Sequence, residues 1–140
     1  MKYYIATSLS RMSEHNSVRD SLRNLGYEIS YDWTTHGSVK LVSKKRLQEV
    51  ASLELQGVLE ADFVLILLPG GNGTHLEFGF ALAKGKKIFL HSEDSSLFEL
   101  GTQTNAFYHH KDVIRVCCSL ENLAKTVDTS IQQMLISPSL

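Results

Sequence analysis

Two glutamates stand where a carboxylate needs a reason, and one of them follows a glycine-rich turn. Pro69-Gly70-Gly71-Asn72-Gly73-Thr74 leaves an apolar run and opens a helical stretch, so backbone amides and the positive end of a helix dipole converge there. Such a turn accepts an anion. Glycines in it let a phosphate or sugar hydroxyl approach the backbone with no side chain between. The dinucleotide fingerprint is not met, because no third glycine follows and the turn comes after the third predicted strand rather than the first. Glu77 lies three residues beyond Thr74, and that spacing supports two readings. In a T-x-x-E capping box the carboxylate only satisfies a free backbone amide. In the other, a carboxylate in the first helical turn is kept ionised at neutral pH and aimed at a pocket, as a nucleophile toward an anomeric carbon must be. Gly79, in the interior of the same helix, costs about 1 kcal/mol against alanine, a cost that close approach of a ligand or neighbouring backbone would offset.

The second carboxylate is Glu54. On a helix predicted over residues 43–60, Leu47, Val50, Ala51, Val58 and Ala61 fall on one side at helical spacing, and Gln48, Glu49, Ser52, Gln56 and Glu60 on the other. Glu54 belongs to the apolar side. Its neighbours three and four residues away are Val50, Ala51, Gly57 and Val58, so no cation of its own helix pairs with it. An unpaired buried charge costs several kcal/mol, which leaves a cavity or a basic group from elsewhere in the fold as its partner.

Strands are predicted over residues 2–7, 27–31, 62–68, 86–91 and 113–117, with helices over 13–25, 43–60, 74–84 and 120–135. A polar stretch with one short helix precedes the fifth strand. Alternating strands and helices with short connections imply an α/β domain, a flavodoxin/Rossmann-like three-layer sandwich on a five-stranded parallel sheet. The near-continuous apolar run of 62–68 suits a central strand buried on both faces. Ligands of such sheets bind outside the carboxyl ends of the strands, which brings residues 8–11, 32–37, 69–77 and 91–95 around one pocket.

The 140 residues, 43% of them hydrophobic, suit one domain over 1–140. A net charge of -1 disfavours a nucleic acid polymer as partner. The first residues are too polar for a signal sequence or membrane span, and the expectation is a cytoplasmic protein with no membrane association. Cys117 and Cys118, adjacent on a strand, point to opposite faces and are expected as reduced packing residues. His15, His36, His75, His91, His109 and His110 show no metal-binding spacing, so no metal is expected. His75 and His91 fall near the pocket, where either could touch substrate, and the favoured expectation is that they are exposed loop residues. Asp32 and Trp33 leave the carboxyl end of the second strand, where Trp33 either stacks on a base or plugs the core.

These motifs resemble the nucleoside 2-deoxyribosyltransferase superfamily, particularly its small branch of 2'-deoxynucleoside 5'-phosphate N-hydrolases, over nearly the whole chain. Tyr4-Ile5-Ala6-Thr7-Ser8 is similar to the first strand and loop of that family. Glu54-Leu55-Gln56-Gly57-Val58-Leu59-Glu60-Ala61-Asp62 is similar to its D-L-x-x-L-x-x-A-D segment, and Glu77-Phe78-Gly79-Phe80-Ala81 with Gly85-Lys86 to its E-L-G-x-A and trailing G-K. The glycine turn through Glu77 also fits the P-G-G-x-G-T-x-x-E motif of the cytokinin-activating phosphoribohydrolases, which likewise break a bond between base and sugar. The resemblance implies that Glu77 is the nucleophile of a glycosyl-enzyme intermediate and that Tyr4 holds its carboxylate in line. It implies that Glu54, one methylene longer than the aspartate of the family, contacts the sugar or assists the leaving base. Ser8, Gly71, Gly73 and Thr74 would cradle the 5' end of the substrate, although Gly71 stands where the phosphohydrolases carry a serine. Asn105 would reach into the site of a neighbouring subunit, in a homodimer or larger homo-oligomer. The implied activity is cleavage of the N-glycosidic bond of a (deoxy)nucleoside or nucleoside 5'-monophosphate, without cofactor. The alternatives are a transferase exchanging bases and a nucleotide-binding sensor without turnover.

Overall fold

The computed structural model describes residues 1–136 and contains five strands, β1 (Lys2–Ala6), β2 (Glu28–Ile29), β3 (Phe63–Leu67), β4 (Lys87–Ser92) and β5 (Val113–Cys117). Four helices connect or follow them: α1 (Met12–Asn24), α2 (Lys44–Glu60), α3 (Asn72–Ala83) and α4 (Leu120–Ile136). All strand pairs are parallel, in the order β2-β1-β3-β4-β5. From β1 the chain goes outward to β2 and then returns to β3 on the other side of β1. That reversal opens a crevice at the carboxyl ends of β1 and β3, the place where open α/β sheets bind ligands.

Alternation along β1 decides which side of the sheet each residue serves. Tyr3 and Ile5 join Phe63, Leu65, Leu67 and Phe89 in a core closed by Val18 and Leu22 of α1 and by Leu123, Val127 and Ile131 of α4. Tyr4 and Ala6 face the opposite core, with Val64, Ile66, Ile88 and Leu90, under Val58 of α2 and Phe78 and Ala81 of α3. Tyr4 is thereby placed beneath the two helices that carry Glu54 and Glu77. Every residue of β3 is buried, as its unbroken apolar run predicts.

Two boundaries differ from expectation. The second strand pairs over Glu28–Ile29 only, because this edge strand turns off the sheet at Ser30. There the Ser30 amide donates to the Tyr3 carbonyl, and the Ser30 hydroxyl donates to the carbonyl of Gly57 at 2.6 Å. The helix expected from Thr74 begins at Asn72, with Gly71 as its N-cap. α2 starts one residue after the expected position 43, because the Ser43 side chain caps it, accepting the Arg46 amide at 3.0 Å and satisfying one of the free first-turn donors. At its other end Lys86 Nζ donates to the carbonyls of Leu59 and Ala61 at 2.6 and 2.9 Å, a cation where a helix exposes unpaired carbonyls. The G-K pair thus anchors the helix that presents Glu54. Among the described residues no helix is long and apolar enough to cross a membrane.

Candidate active site

The crevice between β1 and β3 is held shut at its base by side chains that tie the two strand ends together. Thr7 Oγ1 donates to the Leu67 carbonyl at 2.9 Å, and Arg11 donates to the Leu68 carbonyl at 2.8 Å. Above these ties lies a cavity of about 440 Å³, a size suited to a nucleoside-scale ligand. Its wall is formed by Thr7 and Ser8 after β1, Trp33 and residues 36–40 after β2, Glu54 of α2, and Gly71, Asn72, Gly73, Thr74 and Glu77.

Glu77 is 9 % exposed, and its Oε2 accepts a short hydrogen bond from the hydroxyl of Tyr4. It is the sixth residue of α3, so the expected first-turn position and T-x-x-E capping box are both corrected: Thr74 is inside the helix, and the carboxylate turns toward β1. The expected electrostatics change with it. Burial pushes the Glu77 carboxyl up to about 8; the Tyr4 hydrogen bond opposes that rise and the nearby Glu54 adds to it. Glu77 is therefore mostly protonated at neutral pH rather than held ionised by the helix dipole. Burial, then the Glu77 and Glu54 carboxylates, raise the Tyr4 phenol well above its ordinary range, so it remains a hydrogen-bond donor.

Glu54 is half-buried and, among the described residues, has no ion pair. Burial raises its carboxyl, and the only opposing influence is His36, another residue of the cavity wall. The expected alternative, a lysine or arginine partner from elsewhere in the fold, is not present among those residues.

The other predicted positions separate into two groups. Ser8, Trp33, Gly71, Gly73 and Thr74 line the cavity with Glu54 and Glu77. Trp33 is 3 % exposed; its Nε1 donates to the Ile5 carbonyl at 2.8 Å and its ring meets His15 edge-on, so the plug and the cavity wall are one side chain. Asp32 does not reach the cavity. It accepts from Arg19 at 2.8 Å and from the Thr34 amide at 3.0 Å, fixing the turn that carries Trp33. Burial works against its ionisation, but the hydrogen bonds from Thr34 and Arg19 prevail and hold the carboxyl below its ordinary value. Asn105 is also outside the cavity, exposed, with its side chain accepting the Phe107 amide.

The histidine and cysteine expectations change in part. His91 is fully buried because β4 extends to Ser92; its Nε2 donates to the Cys118 carbonyl at 2.8 Å. His75 is half-buried, with Nδ1 2.8 Å from the Gly71 carbonyl oxygen and Nε2 2.7 Å from the Tyr108 hydroxyl. Cys118 packs on the core, whereas Cys117 is exposed, and both are free thiols. Among the described residues no group of three or more His, Cys, Asp or Glu could hold a metal ion.

Glycines carry much of the geometry, though not where expected. A Cβ on Gly79 would meet open space, so no close approach explains that residue. At Gly70 it would stand 2.4 Å from Thr74 Cγ2, which makes glycine necessary for the turn to fold over Thr74. Gly73 faces open space and Gly71 only Ser8 Oγ at 3.8 Å, leaving room for a ligand at both. Gly57 is the position that sequence reasoning passed over: an added Cβ would lie 2.7 Å from Tyr31 Cβ and 3.0 Å from the Tyr4 ring. Its signal was the glycine in the interior of a helix facing the sheet. Gly57→Ala gains about 1 kcal/mol of helix propensity and loses about 1–3 kcal/mol to overpacking. The expected result is a lower melting temperature, together with a loss of about tenfold or more in kcat/KM as Tyr4 is displaced from Glu77.

In architecture the chain is similar to the CMP N-glycosidase BcmB of Clostridium botulinum, with a TM-score of 0.61 at 17% sequence identity, covering 91% of this chain and 99% of that one. No curated protein matches the chain in sequence. The profile of the nucleoside 2-deoxyribosyltransferase family matches residues 4–126, which contain Tyr4, the cavity and both carboxylates. The chain belongs to the nucleoside 2-deoxyribosyltransferase family, a family of enzymes.

Proposed function

We propose that the protein cleaves the N-glycosidic bond of a (deoxy)nucleoside or nucleoside 5'-monophosphate through a glycosyl-enzyme intermediate on Glu77. The observation that carries this reading is a buried carboxyl, gripped by Tyr4, in the wall of a cavity that Glu54 also lines. A side chain kept only for helix capping has no reason to bear the desolvation that Glu77 bears. In the ionised form its oxygen attacks C1', while Tyr4 holds the other geometry fixed. Glu54 contacts the sugar hydroxyls or the departing base. Ser8, Gly71, Gly73 and Thr74 receive the 5' end beside the amides that open α3, and Trp33 walls the base.

Water completes hydrolysis; a second base completes transfer, the reading that the family name favours. Exposed Leu55, Leu59 and Leu76 on α2 and α3 provide an apolar surface for self-association, and we place the enzyme in the cytoplasm as a homo-oligomer. The test is incubation with ribo- and deoxynucleosides and their 5'-monophosphates, followed by chromatography, with and without an acceptor base. Free base in the absence of an acceptor is expected. New nucleoside formed only with an acceptor identifies the transferase, and an unchanged panel under both conditions would remove the catalytic reading.

A further inference from the structure

We infer that His75, held by Tyr108, aims the backbone amide of Asn72 at the 5' oxygen of the substrate, a positioning role that rests on the function proposed above and falls to residues which that function does not name. Gly71 and Asn72 line the cavity where that reading seats the 5' end. Gly71 is the N-cap of α3 and brings no side chain to it, so the first amides of the helix are free for a ligand. Asn72 is exposed and a Cβ on Gly73 would meet open space, so nothing stands between such a ligand and the turn. The peptide joining Gly71 to Asn72 is planar and trans, which points its carbonyl and its N–H in opposite directions. Fixing the Gly71 carbonyl therefore aims the Asn72 amide.

Two donors fix that carbonyl, and both belong to His75. The backbone amide of His75 donates to the Gly71 oxygen at 3.2 Å, and the ring Nδ1 donates to the same oxygen at 2.8 Å. Together they occupy both lone pairs of the oxygen, which holds the peptide against tilting at the helix end. A carbonyl only accepts, so Nδ1 carries a hydrogen whether the ring is neutral or charged. Nε2, 2.7 Å from the Tyr108 hydroxyl, is likewise bonded in either state, accepting when neutral and donating when charged. The clamp thus does not depend on the protonation of His75.

Tyr108 is a firm anchor for the ring. It is buried, it stacks on Phe78 with centroids 6.2 Å apart and on His75 at 5.8 Å, and it meets Phe98 edge-on. Its carbonyl accepts from Arg115 at 2.9 Å, and Asn105 caps the short helix Ala106–His109 that carries it. The segment before β5 is in this way tied to the glycine turn, 33 positions away from His75 in the chain.

The experiment measures dissociation constants by titration calorimetry on the Glu77→Gln background, where the proposed reaction cannot consume the ligand. The ligands differ only at the 5' position: adenosine 5'-monophosphate, adenosine and 5'-deoxyadenosine, with the cytosine set alongside. His75→Leu is expected to weaken binding of the monophosphate about tenfold and of the nucleoside about threefold, and to leave the 5'-deoxy compound within about twofold, because a charged acceptor gains most from an aligned amide. His75→Asn, whose side-chain amide donates from the place of Nδ1, restores most of the affinity. Tyr108→Phe keeps the ring stack and removes only the hydroxyl, so its losses fall between the two, and it carries the comparison if His75→Leu does not fold. Equal losses on all three ligands, or none on any, would overturn the assignment, as would an absence of binding by the whole set. Base release by the wild type tests the reaction separately: if that fails while the loss still follows the 5' group, the clamp stands and the chemistry falls.

Discussion

If Glu77 is the nucleophile proposed above, Glu77→Gln should lose base release by roughly three orders of magnitude or more in kcat, and the variant should be more stable than wild type. The loss follows from chemistry: an amide cannot form the glycosyl ester, yet it fills the same volume and still accepts the Tyr4 hydroxyl. The gain follows from burial. The folded-state pKa is raised from 4.5 to about 8, so the stability of the neutral carboxyl is fully present below about pH 4.5 and is lost as pH rises toward 8. At about 1.4 kcal/mol per unit, the fold gives up roughly 3 kcal/mol by pH 7 and roughly 5 kcal/mol by pH 9. Glutamine has no charge to bury. Denaturant melts of both proteins between pH 5 and 9 should therefore diverge with rising pH, the variant gaining, and parallel curves would contradict the burial of a titrating Glu77.

The second large effect is on the rate itself. A nucleophile acts only when ionised, so kcat/KM should climb about tenfold per pH unit below pH 8 and level off above it. About a hundredth of the molecules carry an ionised Glu77 at pH 6 and about half at pH 8, on the same pKa. The neighbours give the profile an internal check. Glu54→Gln removes a like charge and shifts the rise to lower pH, whereas Tyr4→Phe removes a hydrogen bond to the carboxylate and shifts it higher. A rate that is level below about pH 8 and declines above it would mean that Glu77 works as an acid, and the nucleophile assignment would be wrong.

Both predictions concern a compromise between stability and function. The carboxyl is most easily buried when neutral, and the proposed nucleophile would react only when charged, so a pKa of about 8 would put a minor reactive population at neutral pH. Gly57 contributes to the same arrangement from behind, since its missing side chain lets α2 approach the Tyr4 ring that grips Glu77.

Period and punctuation in the sequence determined the α/β order, the approximate position of each helix and the fact that the glycine turn and Glu77 lie at the carboxyl end of the sheet. These are local properties: apolar residues recurring at 2.0 or 3.6 residues, and turns where glycine or proline interrupts them. The apolar-face position of Glu54 was legible for the same reason. Tertiary structure decided what the local pattern leaves open. The two-residue β2 reflects an edge strand whose partners lie at Tyr3 and Gly57. Asp32 was diverted from the cavity by Arg19, and His91 was buried by the extension of β4. The protonation of Glu77 depended on its distance from water and on Tyr4, a residue 73 positions away in the chain. Desolvation and cross-chain hydrogen bonds belong to the packed molecule, and no spacing along one segment records them.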